Sequence, residues 1–117
     1  MTTPTPVQPT QLPATVRTFL TAHVAGDADT AIRSFAPDAA LVDEGKTFRG
    51  AREVLDFLRH AGGEFTYTTE LVGAERTDDA HWVAVNRLEG DFPGGVVDLR
   101  YRFTLADDLI TELIIAP

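Results

Sequence analysis

The sequence predicts an α+β domain, with helices gathered in its N-terminal half and strands in its C-terminal half. Three observations carry this reading. Apolar residues recur at helical spacing in three segments before Gly62, period-two alternation dominates from Phe65 onward, and Gly, Pro and Asp stop signals separate the segments at short intervals. Helices segregated from antiparallel strands cover one face of a curved sheet. A bent sheet under a helical lid leaves room for an apolar pocket.

Residues 1–12 (MTTPTPVQPTQL) are rich in Thr, Pro and Gln, and are expected to be a flexible tail ahead of a domain spanning 13–117. Pro13 suits the first turn of a helix whose stripe is Val16, Phe19, Leu20, His23 and Val24, and Gly26 ends it. Asp27 is the expected N-cap of a second helix that buries Ala28, Ala31, Ile32 and Phe35 and stops at Pro37. Ala39 to Val42 reads as a short strand, Asp43 to Lys46 as a turn and Thr47-Phe48 as the return strand. Gly50 opens a third helix carrying Val54, Leu55, Phe57 and Leu58, with Gly62-Gly63 as its stop. Four strands follow, over Phe65 to Val72, Ala80 to Leu88, Val96 to Leu105 and Leu109 to Ile115. A turn at Thr77 to Asp79, the loop Gly90 to Gly95 and a turn at Ala106 to Asp108 connect them.

Composition narrows the function classes. Ten Lys and Arg stand against 18 Asp and Glu, a net charge of −8, and the arginines are spread singly, so nucleic acid is not an expected partner. There is no cysteine, hence neither a disulfide framework nor a thiolate nucleophile. No apolar run approaches the roughly 20 residues of a membrane span, and no secretory leader is evident, so a cytoplasmic protein without membrane contact is expected. The three histidines, His23, His60 and His81, lie on different elements without ligand spacing. With no nucleophile elbow and no phosphate-cradling glycine loop, neither a metal nor a cofactor is expected.

Phe19 followed by Gly26-Asp27, Phe35-Ala36-x-Asp38-Ala39, Asp43, Phe48-x-Gly50, Trp82, Gly90 and Tyr101-x-Phe103 together resemble the nuclear transport factor 2-like (cystatin-like) superfamily. This superfamily holds ketosteroid isomerase and the SnoaL-like polyketide cyclases. The resemblance covers about Leu12 to Ile115. It implies a cone-shaped curved sheet with three N-terminal helices enclosing a pocket for a small apolar molecule. It also implies a homodimer through the outer sheet face. Laid along the isomerase, Asp43 falls at its general-base aspartate, Phe19 at its oxyanion-hole tyrosine and Leu99 at its protonated aspartate. Both donor positions are therefore apolar, and each donor of that kind is worth about 2.7–4 kcal/mol of transition-state stabilisation. Steroid isomerisation itself is not expected.

Each candidate has a bland reading beside the chemical one. Asp43 is either a base raised by desolvation or part of a solvated Asp-Glu-Gly-Lys turn. Trp82, Ala84, Asn86 and Leu88 share the strand face expected to line the pocket, where Asn86 is either a ligand donor or a backbone-satisfied core residue. Trp82 suits core packing as well as stacking. Tyr101 shares a face with Leu99 and Phe103, so its hydroxyl either enters the cavity or reaches water. His23, one turn after Phe19, is either a pocket acid or base or a helix-end residue; His60 fits the helix dipole. His81, Val83, Val85 and Arg87, beside Asp98, Arg100 and Arg102, form the face expected to pair with a second copy.

Two functional readings follow. In the first, the domain binds a modest apolar ligand, with Asp43 as the base of isomerase- or cyclase-like proton transfer and Phe19, His23, Trp82, Asn86, Leu99 and Tyr101 around it. In the second, it is a non-catalytic binding or dimerisation module. A hydrolase of the limonene-epoxide type would need a buried Asp-Arg-Asp set around a water, and the sequence offers no clear place for one.

Overall fold

The computed structural model describes residues 3–61 and 65–117. The sheet has the order β1-β4-β5-β6-β7-β2-β3 and is antiparallel except where β2 meets β7. Its strands are β1 (Thr5–Val7), β2 (Phe35–Asp43), β3 (Lys46–Arg49), β4 (Tyr67–Asp78), β5 (His81–Gly90), β6 (Val96–Ala106) and β7 (Leu109–Ala116). Helices α1 (Ala14–Val24), α2 (Ala28–Ala31) and α3 (Gly50–His60) pack against its inner face. The α+β arrangement of three helices over a curved, mostly antiparallel sheet is the one the sequence predicts.

The centre of the core is aromatic. Phe19 of α1 meets Phe35 at 5.3 Å and Phe103 at 5.8 Å, both edge to face, with Leu41, Ile110 and Leu113 fully buried nearby. Such edge contacts add about 0.5–1.5 kcal/mol beyond the burial itself. Truncating a ring of this kind to alanine ordinarily costs about 3–5 kcal/mol.

Several boundaries differ from expectation, each for a physical reason. The second helix has only four α-helical residues and a 3-10 turn at Ile32–Ser34, and β2 starts at Phe35 instead of Ala39. Pro37 biases Ala36 toward extended backbone, and a register irregularity between Phe35 and Ala40 accommodates the proline. Strand β4 starts at Tyr67, two residues later than expected, and runs on to Asp78, past Gly73 and Ala74, which are poor strand formers. Pairing on both sides, with β5 and with β1, outweighs that propensity. The expected flexible tail instead carries β1, which pairs Thr5 with Arg76 and Val7 with Ala74. Leu12 beyond it is only 2% exposed. The extended β4 supplies backbone partners, and Leu12 supplies the apolar anchor that the Thr/Pro composition hides. The expected stop of α3 at Gly62-Gly63 lies outside the described residues.

Two tight hairpins orient the strand ends. Glu44 (φ 51°) and Gly45 (φ 79°) join β2 to β3, while Asp107 (φ 52°) and Asp108 (φ 62°) join β6 to β7. Both match two-residue connections whose left-handed residues suit the sheet twist. The second has no glycine, and its Asp108 carbonyl accepts a 2.7 Å bond from the Thr15 hydroxyl of α1. Asp108→Gly should therefore stabilise the fold by about 0.5–1 kcal/mol, the cost of a left-handed side chain less the extra freedom glycine gives the unfolded chain. Urea unfolding should show a higher midpoint with an unchanged slope.

Candidate functional site

Strand alternation decides which side chains face inward. Ala39 and Leu41 of β2 are buried in the core, so Asp43, two residues further, projects to the same concave side. The register then sets Asp43, Ile115 and Tyr101 in one row across β2, β7 and β6. Two strand spacings, about 10 Å of backbone, separate the carboxylate's strand from the phenol's.

Between them opens a cavity of about 510 Å³. Its walls are Leu99 and Tyr101 of β6, Leu88 of β5, Tyr67 of β4, His23 of α1 and Phe57 of α3. The loop after β5 adds Phe92 and Pro93, and Asp43 and Glu44 stand at the mouth. That loop is tied to the start of β4: the Asp91 carboxylate accepts the Thr66 N–H at 2.9 Å, and the Asp91 N–H donates back to the Thr66 carbonyl at 3.1 Å. Gly90 permits this closeness, since a Cβ there would stand 2.3 Å from the Thr66 carbonyl oxygen. On its other side Asp43 also borders a hollow of about 550 Å³ formed by Phe48, Glu53, Asp56, Phe57 and His60.

Three titratable groups of the cavity, Asp43, Tyr101 and His23, are perturbed in defined directions. Burial raises the Asp43 carboxyl above its ordinary value, and the neighbouring Glu44 charge adds to the effect. The Tyr101 hydroxyl, on a residue 4% exposed, is pushed up to about 12. Burial is the main cause; Tyr67 and Asp43 reinforce it and Asn86 opposes it. Tyr101 is thus a neutral donor at physiological pH. Asn86 is 2% exposed and sits beside Tyr101 on the inner face, yet among the described residues its Nδ2 has no hydrogen-bond partner of full geometry. Burial lowers the His23 imidazole, which favours the uncharged ring.

Of the side chains singled out in the sequence, Asp43, His23, Leu99 and Tyr101 line this cavity together. Asn86 lies behind Tyr101. Phe19 is fully buried in the core beneath His23. Trp82 stands toward the other end of β5, with its indole N–H on the Asp79 carbonyl at 3.0 Å and the Arg76 guanidinium 5.5 Å above its ring. His60 bonds the Asp56 carbonyl at 2.8 Å at the exposed end of α3, and His81 bonds the Asp78 carboxylate at 2.7 Å. Tyr67, Phe92 and Pro93 were not singled out. Tyr67 carries a period-two signal, whereas Phe92 and Pro93 read only as a turn. Among the described residues, no group of three or more His, Cys, Asp or Glu side chains is placed to hold a metal ion. Among the described residues, no helix is long and apolar enough to cross a membrane.

Residues 16–113 match the family model described as a SnoaL-like domain. The chain belongs to this family. Among solved structures, this SnoaL-like domain is similar to a provisionally assigned polyketide cyclase from Sinorhizobium meliloti, with 31% identity and a TM-score of 0.84 over 94% of this chain and 100% of that one. A Δ5-3-ketosteroid isomerase from Mycobacterium sp. superposes with a TM-score of 0.70 at 18% identity, over 89% of this chain and 90% of that one. A ketosteroid isomerase-like fold protein from Catenulispora acidiphila, in complex with trimethylamine, gives 0.76 at 17%, over 90% and 85%. The last two likenesses speak for the fold alone. No curated protein gives a significant match.

A raised carboxyl pKa has a sign for stability. The stabilisation is complete while both folded and unfolded forms are protonated, below the ordinary value of 3.8, and is lost as pH rises through the raised folded value. Asp43→Asn should therefore be more stable than the parent at pH 7. The gap should close as pH falls below the ordinary carboxylate range, as read by chemical melts at the two pH values.

Proposed function

We propose that this SnoaL-like domain holds a modest apolar molecule in the 510 Å³ cavity and moves a proton on it with Asp43 as base. The observation carrying this reading is a partly desolvated carboxylate at the wall of an otherwise largely apolar cavity, two strands across from a buried, neutral phenol. Desolvation raises the basicity of the carboxylate, and a neutral donor opposite can polarise a carbonyl whose neighbouring carbon loses the proton. Tyr101 serves as the polarising donor, and the Asn86 side chain beside it orients the Tyr101 hydroxyl. The chemistry is isomerase- or cyclase-like. Phe19 and Leu99 argue against steroid isomerisation at the isomerase's rate, because neither can donate a hydrogen bond.

Native mass spectrometry of the purified protein should reveal a bound small molecule. Asp43→Asn should abolish turnover of that compound while retaining binding and fold. Turnover unchanged in Asp43→Asn would exclude the base assignment.

A second reading concerns the outer sheet face, which we take to be a homodimer contact. Val85 is half-buried there, while Val83 is only 6% exposed, and ion pairs flank them: Arg87 grips Asp98 through two bonds of 2.8 and 3.2 Å, and Arg100 reaches Glu75 at 2.7 Å. Pre-formed pairs around the partly exposed Val85 present little unpaired charge to a symmetric partner. If the cavity holds no ligand, this face would be the functional one, as in a dimerisation module. Val85→Glu should shift sedimentation from dimer to monomer; a monomeric parent protein would refute the contact.

A further inference from the structure

The positions that would carry oxyanion donors by resemblance to ketosteroid isomerase are Phe19 and Leu99, and Phe19 is sealed in the core. Helix α1 continues for one more turn. There His23 lies with its ring stacked on Phe19, 5.3 Å between centroids and 13° between planes. Its other neighbour is Tyr101, at 6.0 Å and 62°. The two rings fix the plane of the imidazole. Its place is also distinctive, since it lines both the 510 Å³ cavity and an adjoining hollow of about 590 Å³, at the junction shared with Tyr67, Leu88 and Tyr101.

His60 and His81 have their ring nitrogens engaged by a carbonyl and a carboxylate. Among the described residues no hydrogen bond is made to the ring of His23. Burial favours the neutral form, which carries one N–H to donate. The described side chains lining the cavity include no Lys or Arg, while Asp43 and Glu44 stand at its mouth. An anionic ligand would meet two carboxylates and no cation.

Resting on the reading of the cavity as a ligand site, we infer that His23 and Tyr101 form its donor pair. The α1 donor is displaced by one helical turn from Phe19, and the pair holds the oxygen of an uncharged carbonyl compound in preference to a free carboxylate. The imidazole N–H and the phenol O–H converge on that oxygen from α1 and β6. Phe19 serves as the platform that sets the ring plane. No proton leaves either donor in this role; the proton moved is the one taken by Asp43.

The test uses three probes of matched shape: 2-acetonaphthone, its isostere 2-isopropenylnaphthalene, which lacks the oxygen, and 2-naphthoate. Calorimetric titration of the full chain should show the ketone binding about 3–10-fold tighter than the alkene, the worth of a neutral hydrogen bond, and the naphthoate binding weakest. His23→Phe, which keeps the aromatic stack, should remove the ketone's advantage and leave alkene binding unchanged. His23→Gln, which restores an N–H, should recover part of it. In the parent protein, the ketone should shift the His23 ring nitrogen resonances and the alkene should not, a readout that does not depend on any variant folding. Equal loss of both probes in His23→Phe would make His23 a packing residue and overturn the inference, as would unmoved resonances or preferential binding of the naphthoate. If neither neutral probe binds the parent protein, the ligand-site reading falls and the donor pair with it. Binding of both probes with no effect of His23→Phe defeats only the donor pair.

Discussion

The site depends on the parallel pairing of β2 with β7. Every other contact between sheet neighbours is antiparallel, and β2 is far in sequence from the strand it joins. Through this pairing the β2–β3 hairpin is fixed to the end of the four-stranded run, and Asp43 is held level with Ile115 and hence with Tyr101. A one-residue slip would turn Leu41 out of the core and Asp43 out of the cavity, because side chains alternate faces along a strand. The fully buried Leu41 and Leu113, opposite one another in this pair, oppose such a slip.

That register brings a carboxylate and a phenol together in a space that favours the neutral form of each. Burial raises both pKa values; Glu44 adds to the shift of Asp43, and Asp43 adds to that of Tyr101. A pair of this kind allows a division of labour: an ionised carboxylate accepts a proton, while the buried phenol holds its own and donates a hydrogen bond. The SnoaL-like domain differs from an ordinary apolar core in this respect, and in leaving the Asn86 Nδ2 without a hydrogen bond of full geometry among the described residues.

The class of fold and most of its punctuation were legible from local pattern, because caps, hairpin residues and alternation are properties of a few adjacent residues. Asp27 caps α2 through its bond to the Thr30 N–H at 3.1 Å, Gly26 adopts φ 72°, and Glu44-Gly45 form the tight turn. What was not legible depends on partners distant in the chain. Strand β1 exists because β4 runs on past Gly73, and β4 runs on because β5 pairs with it. The cavity wall at Phe92 and Pro93 is set by the ties between Asp91 and Thr66. His23 belongs to the cavity because Phe19 has already taken the core position. Periodicity put both on one stripe and could not divide them.

The two outermost strands have one more consequence. Strand β1 has three residues with a proline at its centre, and β3 has four with Lys46 and Arg49 at its ends. Both margins of a seven-stranded sheet are therefore poor templates for recruiting another chain, since one lacks a backbone donor and the other is short and cationic. Strand-to-strand growth is disfavoured at β3 and along the three residues of β4 that β1 covers. Removing residues 3–12 would uncover Ala74, Glu75 and Arg76 of β4 as well, so the proline-rich lead-in guards that stretch of the edge against backbone pairing.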